Sequence, residues 1–178
     1  MDAMQLTTGI PFRGDLAVTR RDARTGRVIA FWEKKNVITF GAGNLLTYLL
    51  APNVALGATI QQESQIKSMR FGTSSVVPQR SDTALGAEAV VAAVPVRIQL
   101  TDTDRVIGAS GTVEFTAILD GSTGNGVTYR EAGLFSRGTA DDPQTTTGAT
   151  MFSRQIYPDQ PKTSAVELEY RWRITFSV

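Results

Sequence analysis

The stretch VELEYRWRITFSV, residues 166–178, decides the fold class. Val166, Leu168, Tyr170, Trp172, Ile174, Phe176 and Val178 alternate with Glu167, Glu169, Arg171, Arg173, Thr175 and Ser177. Alternation at period two marks a strand with one apolar and one polar face. At strand rise the run spans about 43 Å, where five or six residues are usual, so it can cross a whole sandwich. Its apolar face, with Trp172 and Phe176, is expected to form the spine of the core, each large side chain contributing about 1.5–3 kcal/mol when buried. On the other face two acids precede two bases, which suits cross-strand pairing with a neighbour. Exposed ion pairs are worth little by themselves. Solvation is therefore the default for Glu167, Glu169, Arg171 and Arg173, and an intersubunit contact is the sharper alternative.

Outward from this strand the same period recurs. TVEFTAIL (112–119) puts Val113, Phe115, Ala117 and Leu119 on one side, and VPVRIQL (94–100) does so with Val94, Val96, Ile98 and Leu100. IKSMRFG (66–72), VTYREAGLFS (127–136) and MFSRQIY (151–157) are further strands. Residues 15–40 are expected to form a hairpin turning at ARTGR. GAGNLLTYLLAP predicts one short helix near 43–51, with Leu45, Leu46, Leu49 and Leu50 on one face, Asn44 capping its start and Pro52 ending it. Residues 53–65 are a loop or a weak helical turn. The segment 73–90 is too rich in turn residues for a regular element, and 120–126 and 137–150 are polar loops. The expected architecture is all-β, an antiparallel sandwich or jelly-roll-like fold. It comprises an extended arm over 1–13 and a single domain over 14–178.

The 178 residues carry a net charge of +1, which gives no global field to draw in nucleic acid or an anionic membrane. The start MDAMQLTTGIPF lacks a cationic, apolar leader, and no stretch has the roughly 20 apolar residues of a membrane span. The expectation is a cytosolic product that does not use the secretory route. Cysteine and histidine are both absent, which removes disulfides, thiolate nucleophiles, imidazole bases and the usual soft-metal ligands.

The motifs that could carry chemistry are weak. In FGAGNLL the position that a dinucleotide fingerprint needs as its third glycine is Leu46. In GSTGNGVT, Val127 stands where a phosphate loop has lysine. Asp102 with Asp104, and Asp141 with Asp142, lack the calcium-loop pattern. The basic cluster RRDARTGR with EKK has only Phe31 and Trp32 nearby for base stacking, and is better explained as a solvated hairpin tip. Glu131, beside Arg130 in YREAGLF, interrupts an apolar strand. It is the one residue worth testing for carboxylate catalysis, but no second acid or base is placed to help it. The structural reading is a buried or half-buried glutamate that accepts backbone or arginine hydrogen bonds.

Taken in order, Gly72-Thr73, Asp82-Thr83-Ala84-Leu85, Arg130 to Phe135 and a terminal strand around Trp172 form a pattern. With the flanking segments, it resembles a group of tailed-bacteriophage virion proteins described as tail, tail-fibre or baseplate-associated. The resemblance covers most of residues 25–178. It implies a non-enzymatic structural subunit, with no catalytic residues and no cofactor, located in the virion. Its partners would be copies of itself and other virion proteins, without membrane, nucleic acid or small-molecule substrate. The segments 1–13 and 137–149 are those expected to reach neighbours. Related sandwiches decorate head exteriors, which is the alternative placement. A receptor- or carbohydrate-binding module is a second alternative, disfavoured because aromatics are 8% of the chain and mostly at inward strand positions.

Overall fold

A computed structural model describes residues 12–50, 65–108, 111–136 and 148–176. In chain order the elements are β1 (Phe12–Asp22), β2 (Val28–Lys35), β3 (Val37–Ile38), α1 (Phe40–Leu50), β4 (Ile66–Gly72), β5 (Val90–Val91), β6 (Val94–Pro95) and β7 (Arg97–Gln99). A 3₁₀ turn at Asp102–Asp104 leads into β8 (Arg105–Gly108), β9 (Thr112–Leu119), β10 (Thr128–Ser136), β11 (Met151–Pro161) and β12 (Val166–Phe176). One five-stranded sheet runs β2-β1-β12-β9-β8, a second runs β3-β11-β10-β4-β7, and β5-β6 is a small ribbon. All pairings are antiparallel. The fold is an all-β sandwich with α1 as the one α-helix among the described residues.

β12 lies in the middle of the first sheet, paired with β1 on one side and β9 on the other. Leu168, Tyr170, Trp172 and Ile174 are buried, while Val166 and Phe176 are half-buried at the strand ends. The second sheet answers with Met69, Phe71, Leu134, Phe152 and Tyr157. The rings of Phe71 and Tyr157 lie 4.6 and 5.7 Å from that of Tyr170, and Trp32 is 5.8 Å from Tyr157. These tilted contacts add to the area term and join the two layers.

At the hairpin turn, Asp22 Oδ1 accepts hydrogen bonds from the Arg24 and Thr25 amides, and Gly26 takes the positive φ of 71° that closes the bend. Four details differ from the sequence reading. The arm does not extend to residue 13, because β1 begins at Phe12 and pairs it with Phe176. The helix starts at Phe40, so Asn44 is an exposed residue inside it and not its cap. Thr39 fixes that start by donating to the Met151 and Phe152 carbonyls, and a side chain at Gly41 would collide with β11, so this glycine permits close docking. Val94 is exposed while Val96 and Leu100 are buried, because Ala92 and Ala93 at φ 50° and 66° turn the chain into the β5-β6 ribbon. The expectations for 1–11, for 53–64 and for 137–147, including Asp141 and Asp142, lie outside the described residues.

Candidate functional site

β10 runs through the centre of the second sheet, between β11 and β4. Ala132 and Leu134 point into the core, so Glu131, Gly133 and Phe135 turn to the opposite side. There the irregular segment 73–89 is held against the sheet. Glu131 is completely buried. Its Oε1 accepts the Ala87 amide at 2.8 Å and the Ser74 amide at 3.3 Å, and its Oε2 accepts the Gly86 amide at 3.0 Å. Arg154 of β11 donates to the same Oε2 from Nε at 2.8 Å and from Nη2 at 2.7 Å.

Arg154 is itself buried. Its Nη1 reaches Asp82 Oδ2 at 2.6 Å and its Nη2 reaches the Val76 carbonyl at 3.1 Å. Burial works against ionisation of Asp82, but the Gln79 amide and the Arg154 guanidinium outweigh it and hold the carboxyl below its ordinary value. The carboxylates of Glu131 and Asp82 thus flank one guanidinium, and most of the remaining hydrogen-bonding capacity is met by main chain. Space for this cluster comes from two glycines. A Cβ on Gly72 would overlap Glu131 Oε1 and the Ala87 carbonyl, and one on Gly86 would come within 2.7 Å of Arg154 Nη2. Arg154 and Gly86 were not singled out in the sequence. The available signal was an arginine at an alternating position of the apolar strand MFSRQIY, which must find an acid if it faces inward.

Arg130 is not part of this cluster and pairs with Asp159 at 2.8 Å in an exposed position. Trp172 is wholly in the core, its indole Nε1 without a hydrogen-bond partner among the described residues. Phe176 borders an apolar cavity of 410 Å³ at one end of the sandwich, with Leu46, Ile66, Phe115 and Ile174 among its walls. The outer face of the first sheet carries the remaining sequence candidates. Arg21 on β1 reaches Glu169 at 3.0 Å, Arg171 also pairs with Glu169, and Arg173 reaches Glu114 on β9 at 2.9 Å. Glu167 lies half-buried at the end of this row. Glu169 and Arg173 therefore have cross-strand partners in the same chain, and Arg171 pairs along its own strand.

Asp102 and Asp104 are each engaged locally. Asp102 is ion-paired with Arg105, and Asp104 accepts the Thr101 amide at 2.8 Å. No group of three potential metal ligands comes together among the described residues. In the loop after β9, Asp120 accepts the Ser122 hydroxyl at 2.7 Å and the Ser122 and Thr123 amides at 2.9 Å. The hydroxyl bond leads these in holding its pKa down at about 2. This is a carboxylate organising its own turn. Gly124 and Gly126 take positive φ in that loop, and Lys162, which is buried, donates to Asn125 Oδ1 at 2.7 Å. No family model, curated protein or solved structure matches the chain.

Proposed function

We propose that this chain is a non-enzymatic structural component of a bacteriophage virion. In this reading it assembles with copies of itself on the tail, in the fibre, the baseplate or a tail adaptor. The observation that carries the reading is convergence. Gly72, Asp82 and Glu131, which come from three separate steps of the resemblance, meet in one buried ion cluster. The cluster ties β4, β10 and β11 to the segment that covers them. Charges used in this way hold a single shape, which a repeating lattice subunit needs. Both oxygens of Glu131 are occupied and shielded from solvent, so it is poorly placed to exchange a proton with a substrate.

Mass spectrometry of purified particles from the source phage, with immunogold labelling of intact virions, tests this. The expected result is the chain as a stoichiometric virion component with label on the tail. Absence from washed particles would overturn the reading, and label on the head exterior would reassign the chain to capsid decoration.

A further inference from the structure

We infer that the outer face of the β2-β1-β12-β9-β8 sheet is a self-association surface, on which the same face of a second copy docks about a two-fold axis perpendicular to the strands. This deepens the homo-oligomer part of the reading above and rests on it, but it is tested on the isolated protein.

The two faces of the sandwich are treated differently. The outer side of the second sheet is occupied by residues 73–89, anchored through Glu131 and Arg154. On the outer side of the first sheet the described residues leave a shallow hollow floored by Ala17, Thr19, Arg171 and Arg173. Phe31 and Ile118, 61% and 45% exposed, stand on opposite flanks of this face. Edge-to-edge addition is opposed, since β2 carries Lys34 and Lys35 and its pairing with β1 is broken by a bulge at Arg20/Arg21. Among the described residues this face is the freer surface.

The charges on this face are self-complementary. Along β12 the order is Glu167, Glu169, Arg171, Arg173. Laid antiparallel on itself about a centre at Tyr170, Glu167 meets the second copy's Arg173, while Arg171 comes to lie over the second copy's Glu169, a buried side chain already held by Arg21 and Arg171 of its own chain. The observed register places Tyr170 opposite Val18, so the same axis passes through Val18 of β1. About that centre Asp15, paired in its own chain with Arg13, meets the second copy's Arg21, paired in its own chain with Glu169, and Ala17 meets its Thr19. One symmetry operation thus matches charges on both central strands, and it is the isologous arrangement that two-fold dimers use.

Dimensions agree. Sheets stack about 10 Å apart, a gap that an arginine and a glutamate can bridge together. Glu167 and Arg173 lie about 10 Å either side of the axis, and the usual offset of about 30° between stacked sheets displaces them by about 5 Å, within reach of an arginine. Arg171 and Arg173 keep 54% and 57% of their side-chain surface exposed even with their internal partners, so each has donors to spare.

Sedimentation velocity of the full chain over a concentration series reads the outcome. The wild type should dimerise, and more weakly as salt rises. Glu167→Lys and Asp15→Lys should each weaken the dimer about tenfold, because each change sets like charges against each other at two symmetry-related places. Glu167→Lys combined with Arg173→Glu should restore it. Circular dichroism confirms that each variant is folded. The inference is overturned by a wild type that stays monomeric, by a trimer or other odd assembly, by single reversals that leave the affinity unchanged, or by a double reversal that does not recover it. A monomer found by mass spectrometry to be abundant in virion tails would sink this inference and leave the structural role standing.

Discussion

The Glu131 carboxyl group sits where no solvent reaches, and three amides and one guanidinium satisfy it. Removing one member of such a set leaves the others desolvated and unpaired. Glu131→Gln should cost about 3 kcal/mol in urea unfolding, the low end for a broken buried pair because Arg154 keeps Asp82. The double variant Glu131→Gln with Arg154→Met should lose less than the two single losses added together. Gly72→Ala should cost about 1–3 kcal/mol, since its methyl would press on the main chain at Ala87 as well as on Glu131. Asp82 gives a pH signature. Its folded pKa lies below its unfolded value of 3.8, so its contribution is complete above that value and is lost as pH falls through the folded pKa. Urea midpoints should therefore fall below about pH 4, and Asp82→Asn should flatten the decline. A decline of unchanged steepness in that variant would count against the assignment.

At the scale of elements, β12 does what its alternation implied and the helix does not. The apolar residues of the strand enter one core because period two leaves them no other face. Trp172→Ala should therefore lose about 3–5 kcal/mol in chemical denaturation. Arg171→Ala, half-exposed in the same strand, should lose less than about 1 kcal/mol in the same measurement. The start of α1 was misplaced because Asn44 has a side chain suited to a cap. At Gly41 the missing side chain is what lets the helix approach β11, a contact invisible in local sequence. Likewise Val94 keeps the period of its neighbours but leaves the core, because two alanines turn the chain with positive φ.

For the whole molecule, the two sheets are unequal in what their outer sides face, and their central strands should be the last to open. Native-state hydrogen exchange should find the slowest amides in β1, β12, β10 and β11, and fast amides in β5, β6 and edge strand β8, where Val106 and Ile107 are exposed. Uniform protection across all strands would contradict the layered account. Most of the buried aromatic surface lies between the layers, so loss of the Phe71, Tyr157 and Tyr170 contacts should affect both sheets together.

By itself the sequence determined most of the longer strands, the inward faces of β9 and β12, the hairpin at Gly26 and the lack of histidine and cysteine chemistry, because side-chain period and composition are local properties of a chain. It also marked Glu131 as a carboxylate that needed hydrogen-bond partners. Only the tertiary structure decided which partners those are. Asp82, Gly86 and Arg154 lie 45 to 49 residues before Glu131 or 23 residues after it, and only the register of β4, β10 and β11 brings them to one point. The same holds for β12. Its pattern of two acids before two bases was legible from the start, but its central position between β1 and β9 is what gives Glu169 and Arg173 their cross-strand partners.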